Sequence, residues 1–155
     1  MGSGTPRRLL TACLLALSSC TDTGTAPQHG LIANYSGIAD PETRWNAYAV
    51  QDYTLLQSRD CFCVYGGRKY LINVRSGKIA SIIDPSDGSP LAPEGWGSYL
   101  TIPGLFALVK SIDTSAVAQF HVSYDPRYGY PVNLYVDPHA QIADDEYGYE
   151  TEIVQ

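Results

Sequence analysis

The sequence predicts an α+β fold, with a mainly antiparallel sheet of about six strands and two helices on one face. Six segments with strand composition are separated by short, turn-forming connections, which favours antiparallel pairing. Apolar stripes with helical spacing precede the first and the fourth of these segments. The resulting order, a helix and three strands followed by a helix and three strands, predicts a pseudo-duplicated α-β-β-β unit.

The first unit is expected to open with a helix near Asp40, whose side chain can cap the helix that Pro41 begins. We expect this helix to end at about Val50. Its apolar face carries three residues at helical spacing: Trp45, Tyr48 and Ala49.

Three strands are predicted to follow, at 53–60, 69–75 and 78–84. The second strand alternates, and its apolar side chains share one face: Tyr70, Ile72 and Val74. Ser76 and Gly77 form a tight turn between the second and third strands, which predicts a hairpin. The stretch 85–97 is dense in Pro, Gly and Ser and is expected to be a loop.

The second unit repeats this order. Thr101-Ile102-Pro103 can open a second helix, with Thr101 as a candidate N-cap. The stretch 104–112 of this helix carries an apolar stripe, and Phe106 flanks it. The stripe has i, i+3, i+4 and i+7 spacing and consists of Leu105, Leu108, Val109 and Ile112. Strands are predicted at 116–124, 132–137 and 147–154.

Residues 1–19 are predicted to be a lipoprotein signal peptide. Arg7 and Arg8 precede an apolar run that is too short for a membrane-spanning helix, which needs about 20 apolar residues. The sequence Leu17-Ser18-Ser19-Cys20 resembles a lipobox, with one branched apolar residue and two small residues before the cysteine. We therefore expect cleavage before Cys20 and acylation of its thiol, as with palmitate. Two or three acyl chains would anchor the protein stably.

The cleaved chain is expected to consist of a lipidated cysteine with a flexible tether at 20–40 and a single domain at 41–155. The position after Cys20 is Thr21 rather than Asp, which favours the outer membrane, facing the periplasm, if the host has two membranes. We expect a location in the cell envelope in either case.

The chain is acidic, with a formal net charge of −6. Cleavage would remove Arg7 and Arg8 and no acid, which leaves −8. A domain of this charge is a poor candidate for binding nucleic acid, because it would repel the phosphate backbone. The composition otherwise predicts solubility.

Cys61 and Cys63 would be the two cysteines left after signal cleavage and lipidation. On an extended strand their Cα atoms would lie about 6.6 Å apart, at the edge of the roughly 4.4–6.8 Å that disulfides accept. A bond between them would be strained and easily reduced unless a turn or bulge brings them closer. Three interpretations stay open: a local disulfide, two free thiols, or a redox or metal site suited to soft ions such as Cu(I) or Zn.

The aromatic segment 124–131 also allows two interpretations. Asp125 can bond to its own turn backbone, and the aromatic side chains would then cap a hairpin. Alternatively, the segment is an exposed interaction loop. Its candidate contact residues are Tyr124, Asp125, Tyr128 and Tyr130.

A cluster of acids near His139 is a weak candidate for a calcium site, because Ca²⁺ prefers carboxylate oxygens. It consists of Asp137, Asp144, Asp145 and Glu146. Its spacing matches no recognised calcium loop, so a solvated acidic turn is the expectation and no metal or other cofactor is predicted. No catalytic motif pairs a nucleophile with a base, which makes a non-enzyme the favoured class.

These features together resemble an uncharacterised family of small bacterial lipoproteins, classed as a domain of unknown function. The resemblance covers roughly residues 42–154 and brings no activity, substrate or cofactor with it. It is carried by Trp45, Tyr53, Cys61-Phe62-Cys63, Val74, Gly77-Lys78-Ile79, Thr101-Ile102, Phe106, Tyr124-Asp125-Pro126, Gly129-Tyr130-Pro131, Asp137 and 144–146.

The sequence therefore predicts an envelope lipoprotein with a non-catalytic binding or interaction domain. Its expected partners are the membrane, through the lipid anchor, and another envelope protein. The alternative is a thiol redox or metal-handling protein that uses Cys61 and Cys63.

Overall fold

A computed structural model describes residues 1–2, 31 and 33–154. Most of the predicted signal peptide, Cys20 and most of the predicted tether lie outside the described residues. Within the described part of the chain, no helix is both long and apolar enough to cross a membrane.

The centre of the structure is one sheet of six antiparallel strands, in the order β3-β2-β1-β6-β5-β4. The prediction of a largely antiparallel sheet is confirmed, and the helical content is small. The strands are β1 (Tyr53–Cys61), β2 (Lys69–Arg75), β3 (Lys78–Ile83), β4 (Gln119–Tyr124), β5 (Pro131–Asp137) and β6 (Tyr147–Ile153).

The first helix, α1 (Pro41–Ala47), begins where the sequence predicts and ends earlier. Asp40 caps it and accepts a hydrogen bond from the Thr43 backbone N–H at 2.8 Å. Ala49 has a positive φ of 51°, which stops the helix and turns the chain towards β1. Its predicted place on the buried face is therefore wrong, and Ala49 is exposed.

The second helix, α2 (Ile102–Ser111), begins directly after Thr101, as the sequence predicts. Thr101 caps it by accepting the Gly104 N–H at 3.2 Å. The predicted stripe faces the core, since Leu105 is buried and Leu108, Val109 and Ile112 are partly buried and packed against it. Phe106, which was predicted only to flank the stripe, is buried as well. The segment predicted as a loop before this helix also contains a short 3-10 helix, η1 (Pro93–Ser98).

One face of the sheet and the two helices bury a common core. Gln57, in the middle of β1, is a fully buried polar residue of this core. Its side-chain amide accepts the Leu100 N–H at 2.9 Å and donates to the Leu100 carbonyl at 3.1 Å. It also donates to Thr151 Oγ1 at 3.2 Å. These bonds tie the segment before α2 to the two central strands.

The antiparallel order gives the sheet two distinct ends. We call the end where β1 begins the near end; it carries α1, the Ser76-Gly77 turn and the β4–β5 loop. We call the opposite end, where β1 ends at Cys61, the far end. The β1–β2 loop and the β5–β6 loop lie there, because Cys61 is paired with Tyr147 at the start of β6.

Burial of tyrosine hydroxyls predicts a loss of stability in alkali. Burial raises the pKa of Tyr53 from 10 to about 12 in the folded protein, and it also raises the pKa values of Tyr99, Tyr130 and Tyr149. The stabilisation from keeping these groups neutral is complete below pH 10 and is lost as the pH rises towards 12.

Absorbance at 295 nm, recorded together with circular dichroism, measures this effect. We expect some of the 12 tyrosines to ionise near their ordinary pKa. The buried tyrosines, Tyr53 among them, should ionise only when the protein unfolds. Ionisation of all tyrosines near pH 10 in a protein that stays folded would contradict the prediction.

Candidate functional site

The Cys61–Cys63 pair lies at the far end, in a tight turn that ends β1. The two Sγ atoms are within disulfide-bonding distance, and the Cα atoms are 5.3 Å apart. This separation is shorter than the extended-strand value because the chain bends: the Cys63 N–H donates to the Cys61 carbonyl at 2.9 Å. The structure thus contains the turn that a bond between these two cysteines requires.

Two glycines complete this turn, and neither is among the residues that were predicted from the sequence to form a site. A Cβ on Gly66 would overlap the carbonyl oxygen of Cys61, so the chain passes too close for any other residue. Gly67 has a φ of 72° and donates its N–H to the Arg59 carbonyl at 2.8 Å. The Gly-Gly pair after the cysteines was the available signal, because such pairs mark tight turns. We call residues 61–67 the far-end turn.

The far-end turn presents apolar side chains to solvent. Phe62 is 84% exposed and Val64 is 86% exposed. Cys63 is exposed between them, and Cys61 is partly buried. Single exposed apolar residues are ordinary, whereas two such residues beside a disulfide on one projecting turn form a patch that water solvates poorly.

The predicted interaction loop at 124–131 makes many contacts within the molecule. Asp125 accepts the N–H groups of Arg127 at 2.9 Å and Tyr128 at 2.6 Å, and its own N–H donates to the Tyr130 carbonyl at 2.8 Å. The loop also binds α1, because Arg44 Nη1 donates to the Pro126 carbonyl at 2.6 Å.

The aromatic side chains of this loop point towards the two helices. Tyr130 is buried, with its ring centre 6.1 Å from that of Trp45. Tyr128 meets Tyr48 edge-on at 5.3 Å, and Tyr124 stacks on Phe106 at 6.1 Å. The residues that the loop exposes are Pro126 and Arg127. The three tyrosines among the candidate contact residues therefore join the hairpin to the helices, and Asp125 bonds within the loop.

The acidic candidate residues lie at the far end, in and beside the β5–β6 loop. Asp137 accepts the backbone N–H of His139 at 3.0 Å. The Nδ1 of His139 lies 2.7 Å from Asp145 Oδ2, so this imidazole and this carboxylate are paired. In the described part of the chain, no three His, Cys, Asp or Glu residues come together as metal ligands would.

The uncovered face of the sheet holds a shallow polar depression of about 260 Å³. Lys69 and Glu150 form an ion pair of 3.4 Å at its edge, and both side chains are well exposed. The other lining residues are Leu56, Val132, Asn133, Thr151 and Glu152. This lining contains no histidine and no cysteine, and an open, solvated surface of this kind is ordinary for an antiparallel sheet.

Packing of the β4–β5 loop against α1 predicts that two glycine substitutions lower the free energy of unfolding by different amounts. Gly129 has a φ of 86°, and a Cβ on it would overlap the Pro41 carbonyl oxygen. Gly77 has a similar φ of 73° with open space around it. Gly77→Ala should therefore cost only backbone strain, about 1–2 kcal/mol. Gly129→Ala should cost at least about twice that, because α1 must also move.

Urea unfolding followed by tryptophan fluorescence compares the two variants, and Trp45 is a suitable probe because it lies against Tyr130. Equal losses of free energy of unfolding in Gly129→Ala and Gly77→Ala would show that the close approach to Pro41 is unimportant.

Comparisons with known proteins give one family. Searches of curated proteins and of solved structures return no match for this chain. A family model described as "Family of unknown function (DUF6174)" matches residues 38–155. This range is close to the one that the sequence resemblance predicts, and the expectation of a domain of unknown function is confirmed. The chain belongs to the DUF6174 family.

Proposed function

We propose that this protein is a membrane-anchored envelope lipoprotein whose domain binds another envelope protein through the far-end turn. The observation that carries the proposal is the position of the turn. Its two exposed apolar side chains, Phe62 and Val64, lie at the end of the sheet opposite to the end where the chain enters the domain.

The position of the chain entry supports this orientation. Residues 33–40 lead into α1, and Tyr35 packs edge-on against Tyr48 at the near end, with ring centres 4.8 Å apart. An acylated Cys20 would be joined to this end by a segment that spans at most about 45 Å. Anchoring there would direct the far-end turn away from the bilayer and towards other proteins.

Charge also differs between the two ends. The near end is mixed, because four basic side chains are accompanied by four acids: Arg44, Arg75, Lys78 and Arg127 with Asp40, Glu42, Asp52 and Asp125. At the far end acids outnumber bases: Asp60, Asp84, Asp137, Asp144, Asp145 and Glu146 against Arg59, Arg68 and Lys69. Anionic headgroups would therefore repel the far end more strongly than the near end. We therefore propose a partner surface that combines an apolar pocket for Phe62 with basic or neutral surroundings.

Substitution of single cysteines tests the anchor. In a bacterial host we expect the membrane-extracted protein to begin at Cys20 and to carry two or three acyl chains, as two or three are needed for stable anchoring. Cys20→Ser should keep residues 1–19 and carry no acyl chain. Cys13→Ser is the matched control and should behave like the wild type. Intact-protein mass spectrometry measures all three, and wild-type protein that lacks fatty acid would overturn this part of the proposal.

Site-specific photo-crosslinking in the native host tests the binding surface. A benzoylphenylalanine at position 62 should give a discrete crosslinked protein, whereas the same group at exposed Tyr35 at the near end should not. With that protein identified and purified, Phe62→Ser should weaken binding about 10- to 100-fold, because burial of a phenylalanine contributes about 1.5–3 kcal/mol. Equal labelling at both positions, or an unchanged affinity, would contradict the proposal.

A further inference from the structure

We propose that the Cys61–Cys63 disulfide is a thiol–disulfide exchange site for a protein dithiol, with Cys63 as the sulfur that is attacked. This inference rests on the proposed binding surface, because it names the chemistry of the partner that the far-end turn receives. It does not require the lipid anchor.

The disulfide contributes little to the stability of the fold. It closes a ring across one intervening residue, and the entropy that a crosslink removes from the unfolded chain falls as the closed loop shortens. The turn also has its own backbone bonds, since the Gly66 N–H donates to the Cys63 carbonyl at 3.0 Å and the Gly67 N–H donates to the Arg59 carbonyl. The bond can therefore open while β1 and its neighbours stay folded.

The two sulfur-bearing residues differ in access. Cys63 is exposed at the top of the turn, whereas Cys61 is partly buried and lies in β1 opposite Tyr147 of β6. Exchange rates depend on which sulfur an incoming thiolate can reach. Cys63 is the more exposed of the two residues, so its sulfur is the one we assign to attack, and the sulfur of Cys61 is the leaving group.

Phe62 and Val64 supply the contact that distinguishes a protein from a small thiol. Both side chains stand in solvent on either side of Cys63 along the chain. A dithiol protein with an apolar surface around its reactive cysteine would bury them during the attack and gain binding energy. A small dithiol such as dithiothreitol would bury almost none of this surface.

The exchange balances as a two-electron reduction of this protein. A thiolate of the partner attacks Cys63 Sγ, the Cys61–Cys63 bond breaks, and a mixed disulfide forms while Cys61 leaves as a thiolate. The second thiol of the partner then attacks the mixed disulfide and releases Cys63 as a thiolate. The partner is oxidised to its disulfide, and the two protons of its thiols end on Cys61 and Cys63.

Two reductants test the inference on the purified, oxidised full chain: dithiothreitol, and reduced thioredoxin as the protein dithiol. Acid quenching, alkylation and mass spectrometry measure the rate of opening. We expect thioredoxin to react at least about tenfold faster per mole than dithiothreitol. The Phe62→Ser/Val64→Ser variant should lose at least about tenfold in the thioredoxin rate and keep the dithiothreitol rate within about twofold, because burial of one apolar side chain alone corresponds to about tenfold and the variant removes two.

Thioredoxin that lacks its second cysteine identifies the attacked sulfur, because it stops at the mixed disulfide. Peptide mapping should place that bond on Cys63. A bond on Cys61, a disulfide that resists both reductants, or a double variant with an unchanged thioredoxin rate would overturn the inference. A resistant disulfide together with specific crosslinking from position 62 would remove exchange and leave the binding function standing.

Discussion

Pairing between β1 and β6 is the constraint on which the rest of the structure depends. It joins two three-stranded halves into one sheet through seven residue pairs, from Leu55 with Ile153 to Cys61 with Tyr147. β1 is also paired with β2 as far as Ser58, and its last three residues pair with β6 alone, so the far-end turn begins directly where a paired strand ends. The same pairing brings the buried amide of Gln57 to Thr151 and so connects the sheet to the segment that leads into α2.

The strands could be predicted because their side chains alternate between a core face and an open face. In β2 the alternation of Tyr70, Ile72 and Val74 fixed both the element and its buried face. The helices were harder, since Ala49 has good helix propensity and yet adopts a positive φ where tertiary contacts turn the chain. Phe106 was predicted only to flank the apolar stripe of α2 and is itself buried, because the sequence shows which face of the helix is apolar and not how wide a contact the core makes with it.

For the far-end turn, the sequence pointed to the two cysteines and did not predict that the neighbouring apolar side chains would be exposed. The C-x-C spacing allowed a local disulfide as one of three interpretations, whereas the solvent-facing positions of Phe62 and Val64 depend on a turn that apolar residues do not signal. The aromatic loop shows the opposite case. Its tyrosines could have served a partner, but they face helices that come earlier in the chain, a long-range contact that a local reading of the loop cannot reveal. Packing within the molecule accounts for the positions of the loop's tyrosines. It does not account for the exposed apolar side chains of the far-end turn.

The direction of β6 has a practical consequence for work in living cells. This strand runs from the far end to the near end, and Val154 beyond it donates its N–H to the Thr54 carbonyl at the start of β1. A fluorescent protein appended after β6 would thus emerge beside the place where the chain enters the domain. Phe62 lies eight residues further along the chain from Thr54, at about 3.3 Å per residue of strand. Such a fusion would report on position in the envelope without shielding the surface that partners are proposed to touch.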